Sequence, residues 1–136
     1  MSGIYKELAM NPYFYRVLEV VKVVDGDTVD VVIDLGFKLT IKLRIRMTGY
    51  DAPETYRPKC DAERKAGLKV KEYLKSLLEK YKDCLHIATQ PVPGIYGRWQ
   101  GTLYALKEDS VVCINAEVLE FMKENKLTKE EVRKTC

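Results

Sequence analysis

The acids and arginines most suited to chemistry fall in three short segments: Asp25-Gly26-Asp27-Thr28, the run from Arg46 to Glu54, and Tyr96-Gly97-Arg98. In the second, Asp51 and Glu54 flank Ala52-Pro53, and Arg44 and Arg46 precede them on alternate positions. Carboxylates such as Asp27 and Asp51 offer hard oxygen ligands, which suit Ca²⁺ or Mg²⁺ and suit Zn²⁺ poorly. A glutamate held on a loop can orient or deprotonate a water. Arginine forks fit the oxygens of a phosphate or carboxylate in a geometry that lysine does not copy. Each segment alone is ordinary: Asp-Gly-Asp occurs in many hairpins, and Asp-x-Pro-Glu reads first as a solvated turn. Their combination is what points to a site.

Those groups need a scaffold, and the residues before the acidic loop supply one. Leu39, Ile41, Leu43, Ile45 and Met47 alternate with Lys38, Thr40, Lys42, Arg44 and Arg46. This period of two is the strongest strand signal in the chain. Gly49 and Pro53 then break the strand, which fixes Asp51 and Glu54 on a short loop beside a cationic strand face. Alternation cannot choose between Arg44 and Arg46, because both lie on that face. Upstream, residues 15–24 read as a first strand, 25–28 as a turn favoured by Asp-Gly, and 29–35 as a second strand, with the third over 37–47. Residues 1–14 are a polar, tyrosine-rich extension.

Downstream, Ala66, Val70, Tyr73, Leu74, Leu77, Leu78 and Tyr81 recur at three- and four-residue spacing and predict a helix over 62–81. Asp61 is its expected N-cap. Gly67 inside it costs about 1 kcal/mol relative to alanine, which predicts a close approach to the sheet. A fourth strand is expected over 84–89, a fifth over 101–106, a short strand over 111–114 and a helix from Asn115. Thr128-Lys129-Glu130-Glu131 has the spacing of a capping box for a last short helix. Five short strands with a helix between the third and fourth, and helices at the C-terminal end, predict an α+β fold built on an OB-type β-barrel, as one domain over 1–136.

Composition narrows the function classes. A formal net charge of +3 and a pI near 8.6 permit a polyanionic partner without demanding one. His86 is the only histidine, which makes a His-pair ribonuclease or a His-rich zinc site hard to build; its alternating strand context predicts a structural role. Cys60, Cys84, Cys113 and Cys136 form no Cys-x-x-Cys pair, and free thiols are expected, with Cys136 open to intermolecular pairing. The first residues hold no continuous apolar stretch, so neither a signal peptide nor a membrane anchor is expected and the chain is expected to be a cytoplasmic monomer.

The ordered set of motifs resembles the staphylococcal nuclease (thermonuclease) family. That family's pattern is Asp-Gly-Asp-Thr, then an arginine five residues before Asp-x-Pro-Glu-Thr, then Tyr-Gly-Arg. Asp25-Gly26-Asp27-Thr28, Arg46, Asp51-Ala52-Pro53-Glu54-Thr55 and Tyr96-Gly97-Arg98 fill each slot, over about residues 15–120. The five-residue offset, taken from the family, selects Arg46 over Arg44. The resemblance implies a Ca²⁺-dependent endonuclease, with Ca²⁺ ahead of Mg²⁺ or Mn²⁺. It would cleave single-stranded or frayed DNA and RNA with little sequence preference and leave 3′-phosphate ends. It implies Asp27, Asp51 and the Ala52 carbonyl as metal ligands, Arg46, Glu54 and Arg98 as catalytic residues, and Tyr96 as a substrate contact. Three features depart from the family: Gly94 and Ile95 replace polar residues of secreted relatives, the C-terminal tail is short, and no export signal is seen, as in an intracellular or phage-encoded enzyme. The competing expectations are a non-catalytic OB module that binds nucleic acid and a protein-binding adaptor of the same fold.

Overall fold

The computed structural model describes residues 3–136. In chain order it contains α1 (Gly3–Met10), β1 (Phe14–Asp25), β2 (Thr28–Gly36), β3 (Leu39–Met47), α2 (Asp61–Lys80), β4 (Leu85–Thr89), β5 (Trp99–Leu106), β6 (Val111–Cys113), α3 (Ile114–Glu124) and α4 (Lys129–Arg133). A single 3₁₀ turn, Ile95–Gly97, precedes β5. The sheet runs β3-β2-β1-β4-β5-β6, and β3 also pairs with β5, so five strands close into a barrel and β6 hangs from its edge. The fold is therefore mixed α+β with a closed five-stranded barrel, consistent with an OB-type barrel. No helix among the described residues is long and apolar enough to cross a membrane.

Closure depends on β1. Its register against β2 slips between Val17 and Glu19, Val20 and Lys22, and Val23 and Asp25. Such bulges sharpen the bend of a strand, and here they let β1 serve β2 at one end and β4 at the other. The final seam is parallel, with Ile45 opposite Trp99, Arg46 opposite Gln100 and Met47 opposite Gly101. Asn115 locks that seam from inside. Its buried side chain accepts from Leu103 N at 2.9 Å and donates to Thr48 O at 2.8 Å and Gly101 O at 3.2 Å.

Inward residues of the strands, among them Val29, Val31, Ile45, Met47, Leu85, Ile87 and Leu103, fill the core, and α2 covers one end with Ala66, Val70, Leu74, Leu77 and Leu78. The apolar stripe of β3 is only half core: Ile45 and Met47 are buried, whereas Leu39 is 61% and Ile41 40% exposed. Toward the tip of the β2–β3 hairpin the side chains become exposed, with Leu35 and Phe37 on the surface as well. β3 also begins later than expected because Phe37 and Lys38 take positive φ at the hairpin tip.

The polar extension before β1 forms α1, with Leu8 buried. Three further expectations are corrected. The N-cap of α2 is Cys60, whose side chain makes no capping bond; Asp61 instead pairs with Arg64 and Lys65 one turn on. Cys60 and Cys136 are not free but joined in a disulfide across 76 residues, so the partner of Cys136 is internal; Cys84 and Cys113 are free. That pairing joins the start of α2 to the end of the α4 segment, a long-range approach that cysteine spacing does not encode. Finally, Gly67 does approach something closely, but it is the acidic loop rather than the sheet. A Cβ there would lie 2.6 Å from Pro53 O and 2.7 Å from Thr55 Cγ2.

Candidate active site

The turn between β1 and β2 and the loop after β3 fold as one unit. Tyr50 Oη donates to Gly26 O at 2.7 Å, Ala52 N donates to Asp27 Oδ2 at 2.9 Å, and Thr55 Oγ1 donates to Asp25 Oδ1 at 3.0 Å. The Met47 amide reaches Asp27 O at 2.7 Å where β3 ends. Gly26 is needed here for space rather than for a positive φ, in contrast to the usual Asp-Gly hairpin: a Cβ would lie 2.7 Å from Val70 Cγ1 and 2.9 Å from Ala52 Cβ. α2 thus presses on both segments, at Gly26 through Val70 and at residues 53 and 55 through Gly67. Burial drives the Tyr50 hydroxyl pKa far up, which keeps it a proton donor to the Gly26 carbonyl.

This unit gathers the two expected aspartates around one guanidinium. Arg46 Nη1 lies 2.6 Å from Asp27 Oδ2, and Arg46 Nη2 lies 2.7 Å from Asp51 Oδ1. Nη1 is buried and meets Asp27 as a charge contact without an aligned hydrogen bond. The remaining Asp27 oxygen accepts from Thr28 Oγ1 at 3.0 Å. Burial pushes the Asp27 carboxyl above its ordinary value, against the pull of Arg46 and the Ala52 amide. At Asp51, burial pushes up as well, but Lys129 and Arg46 outweigh it and hold the carboxyl below the usual range.

Lys129 is the component that sequence reasoning missed. Its Nζ lies 3.0 Å from Asp51 Oδ2 and 3.3 Å from Glu54 Oε1, bridging the two acids of the loop. Burial lowers its pKa, yet the two carboxylates win and raise it, so it is a firm cation. It begins α4, whose Thr128 cap accepts from Glu131 N as the capping-box spacing predicts. Nothing local marks Lys129, since it meets partners 75 and 78 residues away.

Arg98 shares a cavity with Arg46. Arg44, Arg46, Arg98, Thr28, Gly97 and Trp99 line an open cavity of about 480 Å³. The β3–β5 seam creates it, by setting the end of β3 beside the start of β5. Within it Arg44 is engaged by Asp30 in a two-pronged pair at 2.8 and 3.1 Å, so the arginine selected by the five-residue offset is also the one bound to the acids. Arg98 is exposed, with its guanidinium 5.9 Å from the centre of the Tyr96 ring. Tyr96 is 90% exposed at φ 62° and does not line the cavity. His86 lies elsewhere, stacked on Phe14 at 5.2 Å, with burial lowering its pKa.

The donor set can be weighed for a metal. Among the described residues no three His, Cys, Asp or Glu side chains group as a metal cage. What the chain offers is two carboxylates and the backbone at Ala52, all hard oxygen donors, which fit Ca²⁺ in type and imply an open site completed by water. Both Asp51 oxygens already meet a cation, so a metal would enter in exchange for one of them.

Compared with protein-family models and with curated proteins, the chain matches none.

Proposed function

We propose that this protein is a metal-dependent phosphodiesterase of the staphylococcal-nuclease type, acting on DNA and RNA with little sequence preference. The observation that carries the reading is the convergence of Asp27 and Asp51 on Arg46, with Glu54 joined to Asp51 through Lys129, beside a cavity that Arg46 shares with Arg98. Hydrolysis of a phosphodiester builds negative charge on a five-coordinate phosphorus while water attacks in line. Arg46 and Arg98 would take the non-bridging oxygens, each by its fork. Glu54 would orient the attacking water and accept its proton. Asp27, Asp51 and the Ala52 carbonyl would hold Ca²⁺, which when bound supplies positive charge against the developing phosphoryl oxygens. Thr28 and the Ala52 amide hold the Asp27 carboxylate in place for that purpose. Products would end in 3′-phosphate.

One observation favours the alternative, a non-catalytic OB module that holds nucleic acid. Lys129 already occupies Asp51 and Glu54, leaving the arginine cavity as a simple phosphate clamp. Labelled single-stranded DNA and RNA, incubated with the protein and Ca²⁺, Mg²⁺ or EDTA, separate the two. Cleavage with Ca²⁺ and none with EDTA is expected. Intact strands in every condition, with binding that weakens steeply as salt rises, would instead identify the binding module.

A further inference from the structure

We propose that Lys129 is a built-in cation that competes with a divalent metal for Asp51 while it bridges to Glu54, seated there by a C-terminal latch that the Cys60–Cys136 disulfide closes. The proposal rests on the reading of Asp27 and Asp51 as metal ligands. Its geometry does not: a lysine ammonium bridges two loop carboxylates at 3.0 and 3.3 Å, with its side chain only 20% exposed.

The latch has two fastenings, both at the start of α2, just after the acidic loop. Arg133 Nε donates to Glu63 Oε2 at 2.6 Å, with the Glu63 side chain fully buried. The second fastening is the disulfide from Cys136 to Cys60, the residue that precedes α2. Val132, just before Arg133, is buried. A segment pinned at its far end in this way holds Lys129, at the near end of α4, against the loop. Pinning raises the local concentration of the ammonium at the acids without any new contact.

Charge balance indicates exchange rather than coexistence. Asp27, Asp51 and Glu54 face Arg46 and Lys129, which leaves one net negative charge. Withdrawal of Lys129 leaves two, the charge that a divalent cation neutralises. Reduction is the natural release. A dithiol delivers two electrons and two protons to the Sγ–Sγ bond, giving two cysteine thiols and the cyclic disulfide of the reductant. The Glu63–Arg133 pair and the buried Val132 then hold the latch without the covalent link, and Lys129 leaves the acids more readily.

The test is the Ca²⁺ dissociation constant of the full chain by isothermal titration calorimetry, which needs no turnover. Five samples are compared: oxidised wild type, wild type reduced with a dithiol, Lys129→Met, Lys129→Arg, and Cys136→Ser as a second route to the open latch. Lys129→Met, the reduced protein and Cys136→Ser should each bind Ca²⁺ about tenfold more tightly than oxidised wild type, within the usual range of coupling between two ligands. Lys129→Arg, which keeps the charge, should bind as wild type does. Equal or weaker binding by Lys129→Met overturns the proposal, as does an affinity that reduction leaves unchanged. Absence of binding heat in every sample, Lys129→Met included, overturns the metal reading beneath it and is distinct from either of those results.

Discussion

Substituting Gly67 by alanine sets two physical effects against each other, and the structure decides the sign. Helix propensity alone favours alanine over glycine by about 1 kcal/mol in the interior of α2. The added Cβ, however, would stand 2.6 Å from Pro53 O, 2.7 Å from Thr55 Cγ2 and 3.2 Å from Pro53 C. Carbon-to-oxygen contacts settle near 3.3 Å or beyond, so the loop carbonyl must retreat by roughly 0.7 Å. A backbone group stitched at Ala52 and Thr55 to the β1–β2 turn cannot swing aside like the end of a side chain. Overpacking of this kind costs about 1–3 kcal/mol. The propensity gain offsets part of it, leaving Gly67→Ala less stable by about 1 kcal/mol, or roughly 4 °C in Tm for a chain of this size. Urea unfolding of the two proteins, compared at equal m-value, measures the difference. A Gly67→Ala protein more stable than wild type by about 1 kcal/mol would refute the contact between α2 and the acidic loop. The same displacement moves Glu54, so cleavage should fall by more than the stability loss explains.

Other perturbations probe separate parts of the account. Asn115→Ala strands the buried Leu103 amide and the Thr48 and Gly101 carbonyls at the barrel seam, and should cost at least about 2 kcal/mol in urea unfolding. For acid stability, Glu63 lies below its ordinary value of 4.5: burial alone would raise it, but Arg133 and the Lys59 amide outweigh burial. Its stabilisation is therefore present above that value and lost as pH falls through the lower folded value. Asp27, raised by burial, has the opposite sign: its ionised form disfavours the fold, and acid relieves it. Glu63→Gln should accordingly be less stable at neutral pH and show a flatter loss of stability below about pH 4.5 in urea titrations. Arg98→Ala removes an exposed side chain and should leave Tm within about 2 °C of wild type, while cleavage falls by two orders of magnitude or more.

What the sequence disclosed was local or periodic. The alternation from Leu39 to Met47 located β3, and the three- and four-residue spacing in α2 gave its buried face, with Tyr73 stacked on Phe121 at 3.9 Å. The capping box located α4. Asp27, Arg46, Asp51 and Ala52 do meet, but only the five-residue offset singled out Arg46, since Arg44 shares its strand face and turns to Asp30 instead. Glycine was legible as a constraint and not as a location: Gly67 faces the loop, and Gly26 is small because Val70 and Ala52 crowd it. The latch was invisible for a plain reason. Cys136, Arg133 and Lys129 act across 70 residues or more, and no pattern within either segment records the other's position.

The central claim of the proposed function is that Glu54, joined to Asp51 through Lys129, takes part in cutting a phosphodiester. Glu54→Gln keeps the size of the side chain and removes its charge and basicity, so it should bind nucleic acid at least as well as wild type. Cleavage of labelled single-stranded DNA in Ca²⁺ should fall by about two to four orders of magnitude, the usual worth of a general base, while fluorescence anisotropy shows binding retained. Near-normal cleavage by Glu54→Gln, or a wild-type protein that binds the strand and never cuts it, would contradict the account.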